Sequence, residues 1–369
     1  MKISIKIIQK LLLKAINLTS SGLKSSSIKP ESSNIHFMLN SNKATIEASD
    51  IASGISIPLE AEVLGEGDFW VNPTIFSEYI ATLGGEEVTI STTSSEKITI
   101  EAGNSRATIP TVKIEGGDLV GNGPKEEGVV FKTSDFVNSV KWASTAVAID
   151  ESRPVLTGVL FRSDKNKSIR VVGSDGYRLS LSVLFFDEDV KLDFLVPYKP
   201  LAGYLKEWEG IGENLSILFD KEGSRIWIKG ADRLFYVRLI QGDFPDFTKI
   251  LSSEAVFRAE FDSSDFHRAI KQISLFARQA SNIALCDFEK KKIYIHTNGG
   301  VGGNAEATVE TKYSGEKLSL AFNYRYLLEY MKMVTGETVS LVCSGPLAPV
   351  QFIDISKKDL LHIIMPVRV

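Results

Sequence analysis

Phe69-Trp70-Val71-Asn72-Pro73 opens an apolar stretch that ends at Tyr79, and the same pattern returns as Phe194-Leu195-Val196-Pro197 up to Tyr204 and as Leu320-Ala321-Phe322-Asn323 up to Tyr330. The three tyrosines stand 125 and 126 residues apart. Working outward, an apolar run closed by Ser or Thr and then Asp or Asn falls at Ser49-Asp50, Ser174-Asp175 and Thr297-Asn298, in steps of 125 and 123 residues. Phe131-Lys132-Thr133-Ser134-Asp135-Phe136 and Phe261-Asp262-Ser263-Ser264-Asp265-Phe266 match at a step of 130. A period near one third of a 369-residue chain means three related copies, because each repeat is one folding unit with its own pattern of elements.

Each copy reads in the same order. The Ser-Asp-Phe pairs predict helix starts with Ser134 and Ser264 as caps. Behind them Phe136, Val137, Val140 and Ala143, and Phe266, Ala269, Ile270 and Ile273, recur at helical spacing. Alternating segments follow at Ala44-Thr45-Ile46-Glu47-Ala48, Ile169-Arg170-Val171-Val172 and Ile293-Tyr294-Ile295-His296, each predicting a strand. A second helix is expected from near Pro73, Pro200 and Tyr324, with strands after it such as Ile226-Trp227-Ile228-Lys229. One helix, several strands, one helix, several strands gives an α+β class with helices on one face of antiparallel sheets. Glycine- and serine-rich linkers place the domains at residues 1–125, 126–251 and 252–369.

Composition narrows the function. Hydrophobic residues at 43% and charged residues at 24% are those of an ordinary folded chain. The net charge of −4 excludes a uniformly basic coat for nucleic acid, though not a local basic stripe. Only Cys286 and Cys343 occur, so no disulfide scaffold or cysteine zinc site is available, and a reducing, cytoplasmic setting is expected. Met1-Lys2-Ile3-Ser4-Ile5-Lys6 alternates charge with apolar residues where a secretory signal needs an apolar run, and no window is long enough for a membrane span. His36, His267, His296 and His362 are scattered without an HExxH pattern. Gly299-Gly300-Val301-Gly302-Gly303 lacks the Lys-Ser or Lys-Thr of a phosphate loop, and Ser174-Asp175-Gly176 reads as a turn. No catalytic centre, cofactor or metal is predicted.

Basic residues are informative by placement. Lys6, Lys10 and Lys14 recur at i, i+4 and i+8 in the first helical stretch, with Ile8, Leu11, Leu12 and Ala15 on the other face. Lys24 and Lys29 extend this stripe, Lys199 and Lys206 lie in the comparable helix of copy two, and Arg268, Lys271, Arg325 and Lys332 in helices of copy three. Such recurrence in an acidic chain would gather positive charge on one side.

Glu151-Ser152-Arg153-Pro154-Val155-Leu156-Thr157-Gly158-Val159-Leu160-Phe161, Ser174-Asp175-Gly176-Tyr177-Arg178-Leu179, Gly242-Asp243-Phe244-Pro245-Asp246-Phe247 and the terminal Met365-Pro366-Val367-Arg368-Val369 together resemble the bacterial DNA sliding clamp family, the beta subunit of DNA polymerase III. The resemblance is strongest from about residue 130 onward. It implies three tandem clamp-type domains, helices lining a central hole with sheets outside, and a head-to-tail homodimeric ring. It further implies a non-catalytic processivity factor that encircles double-stranded DNA without reading sequence and tethers the polymerase III catalytic subunit, the clamp loader and other proteins carrying a clamp-binding motif. A diverged three-domain scaffold without ring closure is the alternative.

The family's partner pocket, which takes a short, mostly apolar motif between the second and third domains, maps by motif onto Leu156, Ser174, Gly176, Tyr177, Arg178 and Leu179, then Pro245 and Ile250. It continues with Ile363, Met365, Pro366, Val367 and Arg368, with Asn323, Tyr326 and Leu347 beside them and Arg153 at the rim. The implied dimer seam sets Ala107 and Ile109 against Leu275 and Phe276.

Overall fold

The computed structural model describes residues 3–21, 34–40, 43–50, 52–85, 87–94, 96–114, 120–121, 123–125, 127–208, 212–251, 255–279, 281–297, 299 and 303–368, with backbone alone at 21, 93–94 and 206–207. The first third runs β1 (Ser4–Ile8), α1 (Gln9–Ser21), β2 (Ile35–Asn40), β3 (Lys43–Ser49), β4 (Ser53–Leu59), β5 (Glu62–Leu64), β6 (Gly67–Val71), α2 (Pro73–Thr82), β7 (Glu87–Ser94), β8 (Lys97–Ala102) and β9 (Ser105–Pro110). The second runs β10 (Val129–Lys132), α3 (Thr133–Ser144), a 3-10 turn (Pro154–Thr157), β11 (Gly158–Asp164), β12 (Ser168–Ser174), β13 (Arg178–Phe185), β14 (Asp193–Pro197), α4 (Tyr198–Trp208), β15 (Asn214–Phe219), β16 (Arg225–Gly230), β17 (Arg233–Arg238) and α5 (Thr248–Leu251). The third runs β18 (Phe257–Asp262), α6 (Ser263–Ala277), β19 (Ile283–Glu289), β20 (Lys292–His296), β21 (Glu306–Ser314), β22 (Leu318–Asn323), α7 (Tyr324–Met333), β23 (Thr338–Cys343), β24 (Val350–Asp354) and β25 (Leu360–Ile364).

The predicted helix stripes are buried: Phe136, Val137, Val140 and Ala143 of α3, and Phe266, Ala269, Ile270 and Ile273 of α6, all face the core. Two local expectations are corrected. A strand precedes the first helix of every copy, so Lys6 belongs to β1, where it pairs with Glu87 at 2.8 Å and does not share a helix face with Lys10. Ile5 and Ile7 alternate inward there, a period-two signal that the lysine spacing obscured. The caps also differ: Asp262 caps α6, accepting from the Asp265 amide at 2.9 Å, while the Ser264 hydroxyl donates to Asp262 and that of Ser134 to Asp135. A charged carboxylate accepts more strongly than a hydroxyl, and Ser264 sits two residues past the cap position. Asn72 and Asn323 cap α2 and α7 in the same manner, accepting from the amides of Thr74 and Arg325.

Packing divides the chain into two compact units, Met1–Val137 with Lys199–Leu239, and Asn138–Tyr198 with Ile240–Val369. The first unit holds a five-stranded sheet in the order β5-β1-β7-β8-β9 and an eight-stranded sheet in the order β10-β15-β16-β17-β4-β3-β2-β6. The second holds one twelve-stranded sheet, β14-β11-β12-β13-β25-β24-β23-β18-β21-β20-β19-β22. All the registered pairs are antiparallel. The joins between copies are therefore sheet ladders: β17 of copy two adds to β4 of copy one, with Tyr236 opposite Gly54, and β25 of copy three adds to β13 of copy two, with Ile363 opposite Leu179.

Equivalent positions are fixed by register. Phe37 stacks on Phe69 at 4.9 Å between ring centroids and Phe161 on Phe194 at 4.8 Å, both pairs lying directly across β2–β6 and β11–β14. In each copy the segment after the last strand returns one amide to the outer strand: Val112 to the Trp70 carbonyl at 2.9 Å, Ile240 to Leu195 at 2.9 Å and Val367 to Ala321 at 2.8 Å. Those acceptors belong to the Phe69, Phe194 and Leu320 motifs from which the repeat was read. The C-terminal tail is thus copy three's version of the segment that links the other copies onward. Among the described residues no helix is long and apolar enough to cross a membrane, and Cys286 and Cys343 are buried free thiols.

Candidate partner-binding groove and DNA-facing surface

The motif residues of copies two and three converge within the second unit. Pro154 starts the 3-10 turn, where its fixed φ and missing N–H cost nothing. The turn buries Leu156 against Leu160, Val172, Leu179, Leu181, Leu195 and Ile363, and Phe244 and Phe247 close the same cluster. Ile250 packs on its edge, together with Val155 and Ile240. Asp246 holds that segment in place by accepting from the Thr248 amide at 3.0 Å and its hydroxyl at 2.6 Å, and these bonds, hydroxyl first, hold its carboxyl below the usual carboxylate range.

Beside this apolar floor lies the β12–β13 turn. Gly176 adopts φ +90°, which favours glycine, and a Cβ there would stand 3.0 Å from the Arg153 guanidinium. Arg153 is exposed and donates to the Asp175 carbonyl at 2.9 Å. The Ser174 hydroxyl donates to the Arg178 carbonyl at 2.8 Å and accepts from the Gly176 amide at 3.1 Å. Asp175 accepts from the amides of Tyr177 and Arg178 at 2.9 and 3.0 Å. This leaves the Tyr177 side chain 61% exposed above a buried floor.

Arg178 is buried under the turn. Its Nε donates to Asp175 Oδ2 at 3.0 Å, a terminal nitrogen pairs with Glu329 of α7, and its guanidinium lies 4.3 Å from the centre of the Tyr326 ring. Burial first, and then the Asp175 carboxylate, push the Tyr326 phenol up. His362, stacked on Tyr330 at 5.0 Å and bonded through Nδ1 to the Ser180 hydroxyl at 2.7 Å, is pulled down to about 3 by burial and then by the nearby Arg178 charge. The tail is threaded alongside: the Met365 amide donates to the Tyr177 carbonyl at 2.8 Å, and Met365 and Pro366 are half-buried, with Val367 and Arg368 exposed. Leu347 is 50% exposed and Pro245 is exposed.

The mapped set therefore separates by depth. Leu156, Leu179 and Ile363 are buried in the core, whereas Tyr177, Pro245, Leu347 and Val367 are exposed. Asn323 serves chiefly as the α7 cap. Sequence reasoning missed Phe244 and Phe247 as floor, although their spacing within the Gly-Asp-Phe-Pro-Asp-Phe motif marked them, and it missed Glu329, which no local pattern singles out.

Copy one has no such floor. By register, the positions of Leu160, Val172, Leu179 and Leu195 correspond in copy one to His36, Glu47, Gly54 and Trp70. There His36 stacks on Trp70 at 4.1 Å and bonds Glu47 at 3.0 Å and Asp68 at 2.9 Å. Tyr236 fills the space over Gly54, its hydroxyl 2.7 Å from that of Ser49. Val120 packs on Trp227 and Tyr236 and accepts from the Trp227 indole at 3.0 Å. A buried polar cluster covered by Tyr236 takes the place of the apolar floor.

Of the basic residues, Lys10 and Lys14 share the exposed face of α1, opposite buried Leu12, Ala15 and Ile16; Leu11, expected on the buried face, is exposed beside them. Lys199 is exposed at the start of α4 and Lys332 at the end of α7. Arg268 is exposed but bonds Asp265 of its own helix at 2.6 Å, which offsets part of its charge. Lys24, Lys29 and the side chain of Lys206 lie outside the described residues. At the implied seam, Ala107 is half-buried and Ile109 buried on β9, while Leu275 is 53% exposed beside Phe276 in the last turn of α6.

Comparison with known proteins agrees with this architecture along the whole chain. The N-terminal, central and C-terminal domain families of the DNA polymerase III beta subunit match residues 1–118, 131–246 and 248–368. The chain is 24% identical over 337 residues to the beta sliding clamp of Chlamydia muridarum, covering 90% of each, and 25% identical over 340 residues to that of Staphylococcus epidermidis, covering 89% of each. Its fold matches the beta subunit of the Streptococcus pyogenes DNA polymerase with TM-score 0.92 at 22% identity, over 99% of this chain and 100% of that one. Three domain matches in order, on a chain whose repeats are joined strand to strand, establish that this protein belongs to the DNA polymerase III beta subunit family.

Proposed function

We propose that the chain is a DNA sliding clamp: two copies close head to tail around double-stranded DNA, and the groove of copies two and three tethers the replicative polymerase, the clamp loader and other motif-bearing partners. The observation that carries this reading is a pair of unfilled sheet edges. The last strand of copy three, β25, adds to β13 of copy two, and the last strand of copy two, β17, adds to β4 of copy one. The counterpart in copy one, β9, ends its sheet with no further neighbour among the described residues. The counterpart of β13 and β4 in copy three is β21, whose Glu306–Glu310 half pairs, among the described residues, only with β20. A second copy that laid its β21 against β9 would repeat the internal joins, and repeating the rotation closes a ring and removes both open edges. Leu275 and Phe276 would pack at that seam against Ala107 and Ile109.

In such a ring the three domains, residues 1–125, 126–251 and 252–369, would turn Lys10, Lys14, Lys24, Lys29, Lys199, Lys206, Arg268 and Lys332 toward the hole. Phosphate attraction there carries no sequence information, so the ring holds DNA by topology and slides. No catalytic step of its own is required, since tethering raises the polymerase's effective concentration. The buried free thiols suit a cytoplasmic, reducing setting. The test is retention on circular DNA: the protein, loaded by a clamp loader, is expected to co-elute with a nicked plasmid and to be lost when the plasmid is linearised. Equal retention on both forms would refute encirclement.

A further inference from the structure

Two arginines border the groove, and their surroundings differ. Arg153 is exposed and uses one N–H on a backbone carbonyl. Arg178 is 8% exposed and has its Nε committed to Asp175, a terminal nitrogen to Glu329, and its flat face to Tyr326. Asp175 in turn holds the amides of Tyr177 and Arg178. One guanidinium thus joins the turn that carries Tyr177 to the helix that carries Tyr326 and Glu329. Only a planar fork with several fixed donors makes these three contacts together, and a lysine ammonium does not.

We propose that Arg178 is a positioning residue: acting through Glu329 and Tyr326, it fixes the separation of the Tyr177 turn from α7, and so the width of the groove mouth, without contacting the partner. This rests on the reading of the groove as the site for an apolar linear motif. Specificity for that motif then depends on Glu329, a residue outside the apolar lining. The turn and the helix come from different copies, and Arg178 ties the turn to α7 through both its Glu329 pair and its Tyr326 contact.

The experiment uses the full-length chain and a fluorescein-labelled peptide carrying the short apolar motif by which a polymerase subunit binds a sliding clamp, read by fluorescence anisotropy. Arg178→Lys and Glu329→Gln are each expected to weaken binding about tenfold, and the double variant no further than either alone, the coupling expected of two residues acting as one unit. Arg153→Ala combined with Glu329→Gln should instead lose affinity additively. Wild-type affinity in Glu329→Gln alongside a loss in Arg178→Lys would overturn the proposal and make Arg178 a direct ligand contact; wild-type affinity in both would overturn it outright. Leu347→Asp separates the two readings. If that change leaves peptide binding intact, the groove assignment itself fails; if it abolishes binding while the Arg178 and Glu329 variants bind normally, only the positioning role fails.

Discussion

The amide of Met365 donates to the carbonyl of Tyr177 at 2.8 Å, across 188 residues of sequence, and so holds the C-terminal tail against the β12–β13 turn. It extends the β13–β25 ladder by one step beyond the Arg178–Ile364 pair. In the proposed function, residues 365–368 would thereby form a wall of the groove.

Removing residues 365–369 is expected to lower affinity for a clamp-motif peptide at least about tenfold, because a hydrogen-bonded apolar wall is lost from the binding site. Sedimentation should show an unchanged dimer mass, since the tail lies on neither β9 nor β21. Full peptide affinity in the truncated chain would remove the tail from the site.

Leu179→Ala should destabilise the protein by about 2–5 kcal/mol, the usual range for a buried Leu truncated to Ala, and weaken peptide binding as well. Leu179 is buried in the cluster with Leu156 and Ile363, so it supports both fold and floor. Urea unfolding checks the first effect and peptide titration the second; a change in stability with unaltered peptide affinity would confine Leu179 to the core.

His36 predicts a pH dependence. Burial pulls its pKa down, but hydrogen bonds and charge from Glu47 and Asp68 outweigh this, and the net shift is upward from the ordinary 6.5. A group with a raised folded pKa stabilises fully below its unfolded value and loses that contribution as pH rises through the folded value. The stability gap between wild type and His36→Gln should therefore be larger at pH 5.5 than at pH 9, by urea unfolding at each pH. A gap that widens with pH would mean that His36 is neutral in the fold.

Leu275→Asp places a charge on the exposed apolar residue of the proposed seam. The mass measured by sedimentation equilibrium at low micromolar concentration is expected to fall from twice the protomer's 40.6 kDa to a single protomer, with circular dichroism unchanged. A persistent dimer would move the seam elsewhere.

Lys10 and Lys14 make the DNA prediction. Their joint replacement by Ala should weaken binding to duplex DNA and reduce the salt slope by about 2, near one unit per phosphate contact, with peptide binding untouched. An unchanged slope would take α1 off the DNA-facing side.

Sequence alone determined the threefold repeat, the helix and strand character of each copy, and the family, because apolar periodicity and turn residues are local and recur at a fixed step. Phe266, Ala269, Ile270 and Ile273 are buried as their spacing requires. It also singled out segments that pack together, those of Leu156, Leu179, Phe244 and Ile363, since their motifs are contiguous. What tertiary structure decided are the relations between segments. Which strand edges pair is a matter of partner and register, so the sheets run through the repeats and the middle copy is divided between two units. That Lys6 is a strand residue, opposite Thr89 and ion-paired diagonally with Glu87, follows from the β1–β7 pairing, not from its spacing to Lys10. That Arg178 turns inward to Glu329 while Arg153 stays exposed follows from burial between two copies, where a charge persists only if it is paired. And that His36, Glu47 and Gly54 replace the apolar floor in copy one became visible only once strand register had set equivalent positions side by side, because a side chain's surroundings are fixed by its neighbours across the sheet and not by those along the chain.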